Sequence, residues 1–297
     1  MAAGPHITAF FDEPTNTVSY LVADPETRAA AVIDPVLDYD PASGTVDTRS
    51  AERILAVADE QGLSIILVLE THPHADHLTA APVLKARTGA KVGIGARVCE
   101  VQKVFGPMFA ADDVKCDGGD FDLLLEDGQR LPLGNLTIEV IATPGHTPAC
   151  VSYKVGDAVF VGDTLFMPDY GTARTDFPGG DARQLYGSIR KLLAYPPETR
   201  LFMCHDYKAP GRDVFAWETT VGEQATRNLH IGGGVCEDDF VAMREARDAK
   251  LSMPKLLLPA IQVNIRAGRF PPAGADGVSY LRIPLRIAED KSQDSQC

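Results

Sequence analysis

Three histidines and an aspartate fall within six positions, His72, His74, Asp76 and His77, in the stretch "THPHADHL". Side chains of these types at that density make a cation site. Imidazole nitrogen and carboxylate oxygen both suit zinc, iron(II) or manganese, and neutral imidazole is available near pH 7. Three more potential ligands each close an apolar run: His146 in "PGHTP", Asp163 in "VFVGDTLF" and His205 in "LFMCHDY". Alone, His146 or His205 reads as a hydrogen-bonded core histidine and Asp163 as a turn residue. Beside the cluster the four places support one another, and five of the seven histidines belong to them.

The elements that must position these residues are strands that stop where ligands begin. In α/β proteins the sheet fixes the backbone and the following loop aims the side chains. "LSIILVL" predicts a buried strand ahead of His72, and "LTIEVIAT" an alternating strand ahead of His146. "CVSYKVGDAVFVGD" predicts a hairpin turning at Gly156-Asp157, and "RLFMCHDY" a short strand. An opening hairpin is expected over Thr17–Asp24 and Ala29–Asp34, a polar loop over Asp38–Asp47, and a short strand at "KVGIG" from Lys91. Helices are expected in "RSAERILAVADEQG", from about Ala80 to Thr88, in "ARQLYGSIRKLLAYP" and in "EDDFVAMREARDAK". One main domain, residues 1–207, carries the ligands. A C-terminal extension, 208–297, packs on it, with a possible strand "VSYLRIPLR" and a disordered tail from Lys291. The apolar stretch "LLLPAIQVNI" (Leu256–Ile265) is either core or the interface of a homodimer.

The chain has 297 residues, 45% apolar and 23% charged, with a net charge of −13. That acidity disfavours nucleic acid and anionic membrane as partners, since both require positive surface. No apolar run approaches the roughly 20 residues of a membrane span, and the N-terminal stretch has no signal-like pattern; the expectation is a cytoplasmic protein. The six cysteines include no C-x-x-C pair and read as free thiols. Strand alternation places Cys150 and Cys204 as small core residues facing away from the ligands beside them. His6 and His230 receive no role.

"THPHADH", "PGHTP", "GDTLF" and "HDY", in that order, resemble the metallo-β-lactamase superfamily over roughly Thr8 to Tyr207. The resemblance implies an α/β fold, a four-layer αββα sandwich with a metal site at one edge of the paired sheets. Two chemistries stay open. With two metals, His72, His74 and His146 would hold one ion, Asp76, His77 and His205 the other, and Asp163 would bridge them around a hydrolytic hydroxide. With one metal, His72, His146 and Asp163 would hold a single Fe(II) per chain and leave positions for dioxygen and a substrate sulfur. "GTARTDFPGGDARQLYGSI" (Gly171–Ile189) and "CHDYKAPGRDVFAWETTVGEQATRN" resemble the persulfide dioxygenase branch; Thr172 stands where some members carry a cysteine. The branch implies oxidation of glutathione persulfide by dioxygen, with His74, Asp76, His77 and His205 behind or beside the ligands. The runner-up is a dinuclear zinc thioester hydrolase of the glyoxalase II kind. For glutathione's carboxylates Arg174 is the first candidate clamp, with Arg212 and Arg266 behind it, and Tyr207 is a candidate hydroxyl donor close to the metal.

Overall fold

The computed structural model describes residues 4–285. Along the chain, β1 (His6–Asp12), β2 (Thr17–Ala23) and β3 (Ala29–Ile33) precede a small hairpin of β4 (Val36–Asp40) and β5 (Thr45–Asp47). Then come α1 (Arg49–Glu60), β6 (Ser64–Leu69), β7 (Leu78–Thr79), α2 (Ala81–Thr88), β8 (Lys91–Gly95), α3 (Val98–Met108) and β9 (Leu123–Leu125). The second half runs β10 (Arg130–Leu133), β11 (Leu136–Ala142), β12 (Val151–Val155), β13 (Ala158–Phe160), α4 (Ala182–Leu192) and β14 (Arg200–Phe202). It closes with β15 (Glu218–Thr220), α5 (Val221–Arg227), α6 (Glu237–Asp248) and α7 (Leu257–Asn264).

Two six-stranded sheets form, ordered β1-β2-β3-β6-β8-β9 and β10-β11-β12-β13-β14-β15. Because side chains alternate across a strand, each sheet must bury two faces. On β2 and β3, Tyr20, Val22, Ala31 and Ile33 face the second sheet and meet Val140, Tyr153 and Phe160. Leu21, Ala30 and Val32 face the other way, onto Ile54, Leu84, Phe105 and Ile261 of α1, α2, α3 and α7. The outer face of the second sheet, with Ile141, Val159 and Leu201, is covered by Leu185 and Ile189 of α4, Val221 of α5 and Phe240 of α6. Each fully buried side chain of this size is worth roughly 1.5–3 kcal/mol relative to exposure. The layers are therefore helix, sheet, sheet, helix, the expected αββα sandwich.

Two local expectations are revised, and one open choice is decided. Asp38–Asp47 is the β4–β5 hairpin rather than a loop, pinned where Asp38 accepts from the backbone N–H of Ser50 at 2.8 Å. Val278–Leu285 forms no strand; Val278, Tyr280, Ile283 and Leu285 are exposed there, and the expected tail from Lys291 lies outside the described residues. Leu256–Ile265 is α7 and its end, with Ile261, Val263 and Ile265 at 0% exposure, so this stretch is core. Beyond Lys208 the chain supplies β15, antiparallel to β14, and helices to both outer layers.

Candidate metal centre

The candidate ligands stand just beyond the ends of β6, β11, β13 and β14, which lie in both sheets and converge on one rim. Their hydrogen bonds define which ring nitrogen faces the centre. His146 Nδ1 lies 2.8 Å from the carbonyl of Arg174. A carbonyl only accepts, so Nδ1 carries the proton and Nε2 keeps a lone pair. His72 Nδ1 lies 3.0 Å from Thr71 Oγ1, whose own proton goes to Asp34 at 2.8 Å, which leaves His72 Nε2 bare. His74 is reversed: Nε2 donates to Asp34 at 2.9 Å, and Nδ1 points inward. His205 Nδ1 contacts the Asn16 carbonyl at 3.2 Å, so its Nε2 is bare as well.

Several inward atoms are buried without a hydrogen bond: His72 Nε2, His74 Nδ1, His77 Nε2, His205 Nε2 and Asp163 Oδ1. Buried polar atoms normally find partners. The bare nitrogens of His72 and His205 beside a carboxylate oxygen fit a metal ion, and the side chains present suit nitrogen–oxygen coordination. One ligand atom each from His72, His146 and Asp163 fall within 4.8 Å of one another. His72 Nε2 and His146 Nε2 are 4.0 and 3.7 Å from Asp163 Oδ2. Asp76, His77 and His205 form no such trio among the described residues: Asp76 and His77 group with His74, and His205 groups with His74 and Cys204.

Electrostatics separates the neighbouring imidazoles. Burial, then the charges of His74 and His146, holds His72 well below the usual imidazole range, so it stays neutral. Burial also opposes charge on His74, but Asp34 and Glu70 outweigh it and hold that ring well above the usual range. Asp76, whose carboxylate would be raised by burial, is held well below its ordinary value by His205 and His77.

Sequence reasoning missed the groups that hold these rings. Asp34 follows β3 at φ 49°, a left-handed conformation that aspartate tolerates better than most residues, and gathers Thr71 and His74. Glu70 is 2% exposed; it accepts from the Thr79 hydroxyl and its second oxygen lies 3.5 Å from His74 Nε2. From α7, Asn264 donates to the carbonyls of His74 and His77, both at 2.8 Å. Cys204 does not face away: its sulfur lies 3.5 Å from Asp34, behind His74. His230, given no role, accepts the backbone N–H of Thr172 at 2.9 Å. Asp34, closing the strand "AAAVIDP", and Glu70, closing "LSIILVL", carried a signal of the kind that marked the ligands.

A cavity of about 290 Å³ opens over His146 and Asp163, walled by Phe166, Tyr170, Tyr207, Arg174, Arg244 and Arg247. Burial, then Asp76 and Asp163, pushes the Tyr207 phenol well above its ordinary value, so it remains a hydrogen-bond donor. Arg174 lines the cavity but is already paired with Asp176. Arg212 does not line it; its guanidinium bridges Asp206 and Asp169 at 2.6–3.0 Å. Arg266 is 3% exposed, paired with Asp113 at 2.7 Å, and faces a different cavity beside Phe109 and Tyr280. Sequence spacing could not foresee the distant partners, Asp169 and Asp113.

Fold and site together define a metal-dependent enzyme class. Residues 12–205 match the metallo-beta-lactamase superfamily, and the chain belongs to it. It is 54% identical to the "probable metallo-hydrolase" of Burkholderia pseudomallei (strain 1710b), over 94% of this chain and 98% of that one. It is 31% identical to the mitochondrial persulfide dioxygenase ETHE1 of Homo sapiens, over 87% of each chain. The crystal structure of ETHE1 from Myxococcus xanthus superposes with a TM-score of 0.73 at 32% identity, covering 89% of this chain and all of that one. Among the described residues no helix is long and apolar enough to cross a membrane.

Proposed function

We propose that this protein is a cytoplasmic persulfide dioxygenase that holds one ferrous ion on His72, His146 and Asp163. Its substrates are glutathione persulfide, dioxygen and water; its products are sulfite, glutathione and two protons. The terminal sulfur gives up four electrons, both atoms of dioxygen are reduced and end on that sulfur, the third oxygen comes from water, and the sulfur–sulfur bond breaks. The observation that carries this reading is the grouping of one ligand atom each from His72, His146 and Asp163 within 4.8 Å. Two imidazoles and one carboxylate leave coordination positions open for two small ligands.

Ferrous iron, when bound, supplies the one-electron chemistry that lets dioxygen react with a sulfur lone pair. The protein supplies the arrangement. The Arg174 carbonyl and Thr71 fix the His146 and His72 tautomers. Tyr207, kept protonated, donates a hydrogen bond beside the reacting sulfur, and Phe166 and Tyr170 wall the cavity around it. Arg247 attracts the carrier's carboxylate.

The second reading is a dinuclear zinc thioester hydrolase, and one contact favours it. The bare Nε2 of His205 lies 3.3 Å from both Asp76 Oδ2 and Asp163 Oδ1. Three acceptors in contact require something positive between them: a shared proton in a one-ion centre, a second cation in a hydrolytic one. Anaerobic purification with metal analysis, followed by oxygen uptake and sulfite release with glutathione persulfide, tests the choice. About one iron per chain with uptake is expected. Two ions per chain, no uptake and rapid hydrolysis of S-lactoylglutathione would overturn the oxidative reading.

A further inference from the structure

We propose that α6 braces the metal ligand His146 from a distance, with Asp248 as the positioning residue. The inference rests on His146 being a ligand. His146 sits in the irregular stretch between β11 and β12, so its own backbone does little to orient the ring. The ring is oriented instead by donation from Nδ1 to the Arg174 carbonyl at 2.8 Å. That carbonyl belongs to another irregular stretch, ahead of α4, and holds the ring only as well as it is itself held.

A single ion pair on α6 grips this stretch on both sides of Arg174. Asp248 Oδ2 accepts from the backbone N–H of Thr175 at 2.8 Å and from its hydroxyl at 2.9 Å. Asp248 Oδ1 accepts from Arg244 Nε and Nη2 at 3.1 and 2.7 Å, one helical turn away. Arg244 Nη1 then donates to the Thr172 carbonyl at 3.1 Å. All of these side chains are buried: Arg244 is 2% exposed, Thr172 4%, Asp248 6% and Thr175 8%. Hydrogen bonds to charged groups shielded from water are among the stronger ones. The path runs from Asp248 to Thr175, through the peptide to the Arg174 carbonyl, and on to His146 Nδ1. Moving that carbonyl turns the imidazole and re-aims Nε2, without any change in the ligands themselves.

Removing outer partners of metal ligands typically costs 10- to 100-fold in metal affinity. The test uses the full chain, freed of metal and titrated with Co(II), in wild type, Asp248→Asn and His146→Ala, with melting of the metal-free proteins alongside. Asp248→Asn should weaken Co(II) binding about 10- to 100-fold, alter the visible Co(II) spectrum, and lower kcat more than it raises KM. His146→Ala should weaken binding further. If Asp248→Asn melts lower yet keeps wild-type Co(II) affinity and spectrum, the ion pair merely stabilises and the proposal falls. If His146→Ala also binds as wild type does, the ligand assignment falls with it. Should Asp248→Asn not fold, Thr175→Val removes the hydroxyl contact alone. A severalfold loss of affinity there supports the brace, and an unchanged affinity overturns it.

Discussion

Arg174 and Asp176 form a two-pronged ion pair, Nε to one carboxylate oxygen and Nη2 to the other, each at 2.5 Å. The guanidinium thus reaches the cavity already neutralised, with its remaining arm on the Ser252 carbonyl at 2.8 Å. Arg244 is likewise paired, with Asp248. Arg247 lines the same cavity and has no carboxylate partner among the described residues. Losing a charge-assisted hydrogen bond costs about 1.5–3 kcal/mol, so Arg247→Ala should raise KM for a glutathione-borne substrate by roughly 10- to 100-fold with little change in kcat. Steady-state kinetics against the ethyl ester of the same carrier checks it: the ester should bind both proteins alike.

His72 and His74 are in ring contact, yet their surroundings pull them in opposite directions. Burial and positive neighbours keep His72 neutral, while Asp34 and Glu70 favour charge on His74. His72→Ala should therefore lose iron, and His74→Ala should retain most of it. Metal analysis after anaerobic gel filtration decides. The reverse outcome would make His74 the ligand and move the centre toward the two-ion arrangement.

Burial, then the charges of Arg244 and Arg247, lowers His230 to about 4. An unfolded histidine titrates near roughly 6.5, so between these values the unfolded chain binds the extra proton. The contribution of His230 is present above the higher value and is lost as pH falls through the window. Protonation also removes the acceptor that holds the Thr172 N–H. Melting curves of the metal-free protein should show wild type losing more stability than His230→Gln between pH 6.5 and 4. Parallel curves would contradict the assignment.

Cys150 is pushed by burial to about 12, and burial followed by Asp34 pushes Cys204 well above the thiol range. Thiolate is the reactive form, so neither should be alkylated in the native protein, whereas exposed Cys236 should be. Peptide mapping after iodoacetamide treatment, with and without denaturant, provides the measurement. Rapid native labelling of Cys204 would mean that the layer behind His74 opens readily to solvent.

Much of this protein was legible along the chain because its information is local. Strand periodicity, helix stripes and stopping residues are set by neighbours a few positions apart. The order of ligands after strands needs only the rule that sheets end where sites begin. By itself the sequence determined the ligand types, their places at strand ends, and the layered α/β architecture that its family pattern implies. Only the tertiary structure decided which nitrogen of each imidazole faces inward, since those choices come from Asp34, Thr71 and the Arg174 carbonyl. It also decided which arginines remain available. Arg212 and Arg266 look alike in sequence to Arg247, but the first two meet carboxylates brought beside them by folding, 43 and 153 positions away for Asp169 and Asp113. Periodicity is a property of short segments, whereas tautomer, charge and reach are set by whatever distant group the fold delivers within about 3 Å.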